Sequence, residues 1–339
     1  MSSATQMSAA VYRRFGGPEV VRVEQVAKPT PGPRDVLVRV RASTVSAADH
    51  RARSRVVPRG LAVLAALSLG IFRPRKPVLG MDIAGVVEEV GADVTAWAVG
   101  DEVIAMLGAR FGGHAQYALV PRDGAIARKP SNLDFEESVA LVFGGITAHS
   151  FLDRATIGPG PTVLVNGASG AVGSACVQLA TQLGAEVTAV CSEANRALVT
   201  RLGAARVIDY AQQDFAAEGR SYDVVMDCVG NAGYERVVDV VKPGGALLLV
   251  ISDLTGVLRA GGRSKRSGKV ISAGNPDFTA EGLAHLVQLA EAKQLQPVID
   301  RTYDLVDVVE AHRYVDAGHK RGNVVLKIPS SSTQTEGTP

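Results

Sequence analysis

The feature of this chain that most constrains its fold is a glycine-rich turn between two apolar runs. Residues 163–180 read VLVNGASGAVGSACVQLA. Gly167, Gly170 and Gly173 follow a run typical of a buried strand and open a run typical of a helix. In such a turn the first glycine permits a sharp bend, the second lets backbone N–H groups approach a pyrophosphate, and the third lets the helix pack closely on the strand. The turn therefore predicts a dinucleotide-binding βαβ unit.

Strand and helix patterns alternate around this turn. Helices are predicted over 171–183, 194–202 and 232–241, between the strand-like runs TVLVNG, EVTAVC, RVIDY, YDVVMDCVG and GALLLVI. A further helix precedes them, with Ser131 or Asn132 as its expected N-cap. Such alternation is typical of a doubly wound parallel sheet, which binds its ligands at the carboxyl ends of the strands.

The front of the chain has a different pattern. It contains the short β-rich runs AAVYRRFG, VVRVEQV, DVLVRVRAS, DIAGVVEEVG and DEVIAML, separated by turns rich in Pro, Gly and Asp. Many short strands with such turns favour a barrel-like fold. Near the end, amphipathic helices are predicted over about 279–293 and 305–317, followed by a strand, NVVLKI. The polar tail, 331–339, is expected to be disordered.

Bulk properties exclude some classes of function. The 339 residues suffice for two domains, and the net charge of +2 gives no case for nucleic acid binding. The start of the chain lacks the apolar segment of a signal peptide. Cys176, Cys191 and Cys228 lie in apolar runs without C-x-x-C spacing. Buried reduced thiols of this kind suit a cytoplasmic protein, which is the expected location.

The identity of the dinucleotide is expected to depend on the end of the second strand. NAD sites place an acid there, but this chain has Cys191 and Ser192. The 2′-phosphate of NADPH needs hydroxyls and a cation instead. The chain offers Ser192, Asn195, Arg196 and Tyr210. Glu193 opposes this interpretation, and Arg196 is equally compatible with a solvated helix position. The pattern favours NADPH.

These features together resemble the medium-chain dehydrogenase/reductase superfamily. The β-rich front, GASGAVG, LGAARVIDY, VKPGG and the long run PVIDRTYDLVDVVEAHRYVDAGHKRGNVVLKI are similar to its zinc-independent quinone oxidoreductase (zeta-crystallin-like) branch over about residues 8–329. The resemblance implies an α/β fold: a GroES-like β-barrel catalytic domain, 1–130 and 276–330, and a Rossmann NADP-binding domain, 131–275. It also implies a homodimer joined at a sheet edge, here expected at GALLLVI.

The positions of the zinc ligands depart from those of zinc-dependent members. Those members carry a Cys after the third strand and Gly-His-Glu at the start of the next core strand, whereas this chain has Ala47, Met81 and Asp82. The four-cysteine structural lobe is missing as well. We therefore expect no metal. The alternative is a ligand set of Asp49, His50, Asp82 and His114.

The resemblance also implies roles for individual residues. Ser46 and Asp49 are expected beside the nicotinamide ribose and the substrate, Ser46 in place of a more common Asn, and Thr147 is expected to face the nicotinamide. These three are the expected catalytic residues. The expected cofactor contacts are Gly167, Ser169, Gly170, Ala171, Val172, Gly173, Cys191, Ser192, Asn195, Arg196, Tyr210, Asn231, Val250, Ile251, Ser252, Arg321 and Asn323. His50 and His114 are either proton donors or structural histidines.

Chemistry without a metal narrows the expected reaction. Zinc polarises an alcohol or carbonyl oxygen, and reduction of a quinone or an α,β-unsaturated carbonyl depends less on such help. The expected function is hydride transfer from NADPH to a small quinone or enone. The alternatives are an NADPH-binding sensor or structural protein with little turnover, and an NADP-dependent alcohol or aldehyde dehydrogenase.

One apolar segment needs its own explanation. Residues 54–77 read SRVVPRGLAVLAALSLGIFRPRKP, and the apolar core, Leu61 to Phe72, is too short to span a bilayer. We expect it to cover the substrate pocket as a lid. The alternatives are a helix packed on the barrel, or a membrane-surface contact supported by its basic flanks and by the basic stretch 259–269. Membrane contact is not expected.

Overall fold

The computed structural model describes residues 6–155 and 160–329, so the tail predicted for 331–339 lies outside the described residues. The front of the chain folds into strands as predicted, with two short helices between the third and fourth strands. The elements are β1 (Gln6–Tyr12), β2 (Val21–Ala27), β3 (Asp35–Val45), α1 (Ala47–Ser54), α2 (Ala62–Leu69), β4 (Asp82–Val90), β5 (Glu102–Met106), β6 (Tyr117–Pro121) and β7 (Ala125–Arg128).

The end of the chain completes this front domain. Strands β14 (Ile299–Asp304) and β15 (Asn323–Lys327) join its sheet in the order β14-β15-β3-β4-β5-β7, with β6 also paired to β3. Strand β15 runs antiparallel to β3, from Val324 opposite Val45 to Lys327 opposite Ala42. The strand predicted at NVVLKI is therefore present, and it pairs with the sheet of the front domain. Helix α9 (Val308–Asp316), which lies between β14 and β15 in the sequence, buries one apolar face against this sheet.

The middle of the chain forms the predicted doubly wound sheet. Its strands are all parallel, in the order β10-β9-β8-β11-β12-β13. The elements are α3 (Phe135–Leu152), β8 (Thr162–Asn166), α4 (Ala171–Gln182), β9 (Glu186–Cys191), α5 (Arg196–Arg201), β10 (Arg206–Asp209), β11 (Tyr222–Asp227), α6 (Tyr234–Val237), β12 (Val241–Leu249), α7 (Leu254–Ser267), β13 (Val270–Ala273) and α8 (Ala280–Glu291). The predicted α/β fold class is confirmed.

Two predictions about helices were wrong. Helix α3 is capped by Asp134, which exchanges hydrogen bonds with Glu137 in a capping box, because Ser131 instead bonds Glu291 and Asn132 bonds the Ala290 carbonyl. The helix predicted over 232–241 is the single turn α6 followed by a 3-10 turn. The basic stretch 259–269 lies mostly in α7.

The predicted edge strand was also wrong. GALLLVI lies largely in β12, which pairs with β11 on one side and β13 on the other. The edge of the sheet on this side is β13, because KVISAG adds one more parallel strand.

The segment 54–77 forms helix α2 and two flanking loops. No residue of α2 is buried, and Phe72 beyond it is 90% exposed. Val56 to Arg59, which are half-buried or exposed, line a cavity of about 630 Å³. Leu61 to Phe72, which were expected to supply an apolar wall of the pocket, do not line this cavity. Within the described ranges, no helix is both long enough and apolar enough to cross a membrane.

Candidate active site

A crevice lies at the carboxyl ends of the parallel strands, where the doubly wound sheet meets the front domain. Its volume is about 480 Å³. The strand ends that border it belong to β8, β9, β10 and β11. Its lining is Ala47, Arg51, Asn166, Gly167, Ser169, Gly170, Cys191, Ser192, Asn195, Tyr210, Cys228, Val229, Asn231, Ile251, Gly318, His319 and Lys320. The cavity of about 630 Å³ shares Arg51 and Ile251 with it. This is the edge at which doubly wound sheets bind nucleotides.

The glycine turn forms the floor of the crevice. Gly167 has φ of +79°, a conformation that favours glycine. A Cβ on Gly173 would lie 2.1 Å from the Gly167 carbonyl oxygen, so α4 can approach the turn only with glycine there. No side chain caps α4, and its first N–H groups, including those of Ala171 and Val172, have no acceptor within the helix. These donors and the helix dipole fit a pyrophosphate.

The end of β9 supplies polar groups to the same crevice. The Asn195 Nδ2 donates to Ser169 Oγ at 3.0 Å and to Ser192 Oγ at 3.2 Å. The Asn195 Oδ1 is buried without a hydrogen-bond partner among the described residues. An unpartnered buried acceptor at this position fits a ribose hydroxyl, which can donate to it. Tyr210 lines the crevice and is 60% exposed.

Arg196 lies apart from these groups. Its guanidinium donates to both carboxylate oxygens of Glu193, with the closest pair 2.7 Å apart, and both side chains are largely exposed. Arg196 does not line the crevice, unlike Ser192 and Asn195. The sequence placed Glu193 beside the phosphate-binding groups but did not reveal this ion pair.

The end of β11 forms the facing wall. Asp227 is buried and accepts hydrogen bonds from the backbone N–H groups of Val229, Gly230 and Ala232. Asn166 Nδ2 donates to Asp227 Oδ1 at 2.8 Å and to Asn231 Oδ1 at 2.7 Å. These bonds fix the loop that carries Asn231 before any ligand binds.

The end of β12 carries three further predicted contacts. The Val250 N–H donates to the Asp227 carbonyl at 3.0 Å, which aligns this strand end with β11. Ile251 borders both cavities, and Ser252 lines only the larger one. Of the three residues, Ile251 is therefore the one that lies between the crevice and the cavity beside it.

The loop before β15 covers the glycine turn and was largely missed from the sequence. The Gly322 N–H donates to the Ser169 carbonyl at 2.7 Å, which joins the front domain to the turn. His319 and Lys320 line the crevice in front of this contact. Burial lowers the pKa of Lys320 to about 8, although the nearby charges of Asp300 and Asp82 act to raise this pKa. The signal in the sequence was a run of basic residues, HKR, directly after a glycine.

Two neighbouring residues predicted as cofactor contacts have structural partners. The Arg321 N–H donates to Asp300 Oδ2, and its side chain is exposed. Asn323 is buried, and its Nδ2 donates to the carbonyls of Ala140 and Val298. Asn323 thereby holds the loop against helix α3.

The three predicted catalytic residues are all buried. Ser46 caps α1: its hydroxyl donates to Asp49 Oδ2 at 2.6 Å and accepts from the Asp49 N–H. The other Asp49 oxygen accepts from the Gly80 N–H at 2.8 Å. The pair thus fixes the start of α1, whose Ala47 and Arg51 line the crevice. The Thr147 hydroxyl on α3 is buried without a protein partner in the described part of the chain.

The alternative metal ligands are each engaged elsewhere. His50 Nδ1 lies 2.6 Å from Asp316 Oδ1, and His114 Nε2 lies 2.9 Å from the Thr44 carbonyl oxygen. Asp82 accepts from the N–H and hydroxyl of Thr44, and burial raises its pKa to about 7. Across residues 6–155 and 160–329, no group of three His, Cys, Asp or Glu side chains is arranged to hold a metal ion.

The three thiols are single and shielded. Burial raises the pKa of Cys176 to about 12 and that of Cys191 to about 11, and raises that of Cys228 well above its ordinary value. Cys191 and Cys228 line the crevice as neutral thiols, so they offer it no anionic nucleophile at neutral pH.

Two family models match the chain. The model described as alcohol dehydrogenase GroES-like domain matches residues 32–131, and the one described as zinc-binding dehydrogenase matches residues 202–326. The first covers most of the front sheet, and the second runs from the end of α5 to β15.

Known proteins are similar over nearly the whole chain. A 2-methylene-furan-3-one reductase of Solanum lycopersicum is 32% identical over 96% of this chain and 80% of its own length. The chloroplastic quinone-oxidoreductase QR1 of Triphysaria versicolor is 30% identical over 95% of this chain and 98% of its own. The solved structure of a quinone oxidoreductase from Coxiella burnetii superposes with a TM-score of 0.84 at 28% identity, covering 96% of this chain and all of that one. The chain belongs to the medium-chain dehydrogenase/reductase superfamily, within its quinone oxidoreductase branch.

Proposed function

We propose that this protein reduces quinones or α,β-unsaturated carbonyls with hydride from NADPH and needs no zinc for the reaction. The observation that carries the proposal is the crevice itself. It joins an uncapped helix N-terminus at the glycine turn to a second cavity at the edge of the front domain. Similarity to a quinone oxidoreductase and to an NADPH-dependent alkenal/one oxidoreductase supports this substrate class.

The residues of the chain supply binding and orientation. NADPH, when bound, supplies the hydride. The first N–H groups of α4 and the ammonium of Lys320 would hold its phosphates, and Asn195 would accept from a ribose hydroxyl. The Ser46–Asp49 pair keeps the start of α1 in place, so that Arg51 stands between the two cavities. We therefore infer that the protein promotes hydride transfer mainly by aligning the two bound reactants. Such alignment by itself lowers the activation barrier substantially.

Independence from zinc rests on the residues at the family's ligand positions. Ala47 and Met81 have no strong zinc-binding atom, and Asp82 is engaged by Thr44. His50 and His114 are held by Asp316 and by the Thr44 carbonyl. These contacts support a reaction in which the protein, rather than a metal, stabilises the product anion.

A preference for NADPH over NADH is the finer part of the proposal. It is supported by Ser192, Asn195 and Tyr210 around the crevice and by the absence of an acid at the tip of β9. Arg196 can contribute only when its guanidinium turns away from Glu193. The 2′-phosphate, which carries nearly two negative charges, competes with that carboxylate for the cation.

The test is steady-state oxidation of NADPH with 9,10-phenanthrenequinone and with a simple enone. The proposal expects turnover with at least one of them, unchanged after prolonged dialysis against a chelator. Turnover of an alcohol with NADP⁺ but of neither acceptor would favour the alcohol dehydrogenase alternative. Tight NADPH binding without turnover of any acceptor would favour a sensor. Loss of activity with the loss of stoichiometric zinc would overturn the zinc-free part.

Three other expectations stay predictions. The domain boundaries, 1–130 with 276–330 and 131–275, are consistent with the strands of each sheet, which lie within them. A homodimer and a cytoplasmic location are carried over from the sequence. If the dimer forms through the edge of the parallel sheet next to β12, β13 is the strand there.

A further inference from the structure

Helix α2 exposes an unusual amount of apolar surface. All of its side chains except Ser68 are apolar, and none of its residues is buried. The large side chains exposed on it and just after it are Val63 (70%), Leu64 (54%), Leu67 (54%), Ile71 (52%) and Phe72 (90%). Contiguous exposed apolar residues of this kind mark an interaction surface rather than ordinary protein exterior.

The conformation of this exposed segment is held by hydrogen bonds among residues 55–75. Arg55 Nη1 donates to the Ile71 carbonyl at 2.6 Å, which closes the segment on itself. The Arg75 N–H donates to the Leu69 carbonyl at 2.8 Å, and its guanidinium reaches the Leu67 carbonyl. The exposed apolar side chains are therefore carried by a loop–helix–loop that is held by its own hydrogen bonds.

The surroundings of the apolar face are strongly basic. Residues 51–81 contain seven Lys or Arg and no Asp or Glu, whereas the whole chain has a net charge of only +2. Arg59, Arg73, Arg75 and Lys76 of this stretch are exposed. Beside Phe72 lies a groove of about 790 Å³ lined by five arginines, with Glu19 and Glu24 as its acids. Glu24 is already paired with Arg13 at 2.6 Å.

The same segment leads into the crevice. Val56 to Arg59 line the cavity of about 630 Å³ together with Ile251 and Ser252. The Leu254 N–H donates to the Arg59 carbonyl at 3.1 Å, so the start of α7 lies against the segment. One turn along α7, Leu258 is 74% exposed and is followed by Arg259. A ligand arriving at α2 is therefore close to the cavity of about 630 Å³ that adjoins the crevice.

We propose that the segment 55–76 docks the protein on an anionic membrane surface, and that its substrate is an apolar quinone dissolved in that membrane. The side chains of Leu64, Leu67 and Phe72 enter the headgroup region, and the surrounding cations contact lipid phosphates. The substrate part rests on the proposed function; the docking part does not. A second copy of the chain is a poorer occupant, because two copies of segment 55–76 facing each other would bring together ten positive charges, five from each.

The docking is tested by co-sedimentation of the full chain with vesicles. The vesicles are phosphatidylcholine alone, or with about one-third phosphatidylglycerol, at low and high salt. The wild type is expected to bind the anionic vesicles at low salt. The variant Leu64→Ser/Leu67→Ser/Phe72→Ser is expected to lose at least about tenfold in binding. The matched control Val99→Ser/Val306→Ser removes apolar side chains that are 67% and 75% exposed elsewhere, and should bind like the wild type.

A charge variant and a kinetic comparison complete the test. Arg73→Gln/Lys76→Gln should weaken binding by roughly fivefold per charge, from about 1 kcal/mol for each basic residue near the surface. With a water-soluble quinone, all variants should turn over like the wild type; with a long-chain quinone held in anionic vesicles, only the docking variants should slow. If the wild type does not reduce the soluble quinone, the proposed function fails, and the vesicle assay still decides the docking.

Three results would overturn the docking. The first is wild-type protein that binds neutral and anionic vesicles equally, or neither. The second is a triple variant that binds like the wild type while melting at the same temperature. The third is a wild type that light scattering shows to be a dimer while the triple variant is a monomer. The apolar face would then be the contact with a second copy of the chain.

Discussion

At the scale of single residues, the hydrogen-bond partners decide which side chains are available to a ligand. Ser46 and Asp49 satisfy each other and the Gly80 N–H, so they position α1. Asn195 keeps one buried oxygen without a partner at the crevice. Residue identity alone does not distinguish these two situations, because a polar side chain can serve the fold or a ligand equally well.

The Glu193–Arg196 ion pair is expected to limit the preference for NADPH. Glu193→Gln releases the guanidinium and removes a charge that repels the 2′-phosphate, so the Kd for NADPH should fall by about threefold; the effect is modest because exposed pairs are screened. Arg196→Gln should raise that Kd by a similar factor. Fluorescence titration measures both. The Kd for NADH is the control, and equal shifts for the two cofactors would contradict the prediction.

Lys320 is expected to make cofactor binding dependent on pH. Its pKa of about 8 means that the ammonium is charged below that pH and neutral above it. The affinity for NADPH should therefore be high near pH 7 and fall as the pH rises through 8, by up to about tenfold at pH 9.5. Lys320→Met should bind weakly with no such pH dependence, and Lys320→Arg should bind tightly at all these pH values. A wild-type Kd that is constant from about pH 7 to 9.5 would rule this out.

At the scale of elements, the glycine turn joins β8 to α4 through two different requirements. Gly173 is needed for packing, because its Cβ would overlap the Gly167 carbonyl. Gly170 is not needed for packing, because a Cβ there would meet only the Gly167 oxygen at 3.6 Å, so we expect its role to be in ligand binding. Substitution of Gly173 should therefore affect the stability of the fold, and substitution of Gly170 should affect ligand binding.

Gly173→Ala is expected to destabilise the fold by about 1–3 kcal/mol, the usual cost of overpacking. The matched control is Gly261→Ala, in exposed α7, where a Cβ would have no neighbour within 4 Å. That change should stabilise by about 0.5–1 kcal/mol, because alanine is the better helix former. Thermal unfolding midpoints measure both changes. A Gly173→Ala variant that melts like the wild type would show that the turn yields to the added methyl group.

Gly170→Ala is expected to show the opposite pattern. Its φ of −79° is open to any residue, so the melting temperature should stay within about a degree of the wild type. The methyl group would stand where the pyrophosphate approaches, and NADPH affinity should fall at least about tenfold. The prediction is contradicted if the cofactor binds Gly170→Ala as it binds the wild type.

At the scale of the whole molecule, elements that are far apart in the sequence, α1 and α9, are joined by ion pairs. Asp316 of α9 contacts both His50 and Arg53 of α1, and Arg53 is completely buried. Helix α9 also carries His312, which is completely buried. Among the described residues, neither of its ring nitrogens has a hydrogen-bond partner. Its ring centroid is 5.9 Å from that of His114. Protonation of His312 is opposed first by burial, then by the charges of His114, Arg53 and His50, which holds its pKa well below the ordinary value.

The stability of the protein is therefore expected to fall on the acid side. Because the unfolded chain takes up a proton near pH 6.5 and the native His312 does not, the free energy of unfolding should decrease below that pH, by at most about 1.4 kcal/mol per pH unit from this group. His312→Leu should reduce this dependence, while His319→Leu, at an exposed position, should not. Urea unfolding midpoints from about pH 8 to 5 measure the effect. Parallel pH curves for wild type and His312→Leu would contradict the assignment.

Much of the fold was already determined by the sequence alone. The glycine turn, the alternation of strands and helices, and the closing strand NVVLKI follow from periodicity and turn chemistry, which act over a few residues. The same local patterns placed Ser192, Asn195 and Tyr210 around the crevice, because parallel strands end at one edge of a sheet.

Only the tertiary structure decided which of these residues are free to act. The ion pair of Arg196 and the outward face of α2 depend on which side chains fold against each other, and a one-dimensional pattern does not carry that information. Long-range contacts set the rest: β13 rather than β12 is the sheet edge, and the loop with Lys320 reaches the glycine turn from about 150 residues away. Such contacts are selected by packing over the whole chain, which no single stretch of sequence specifies.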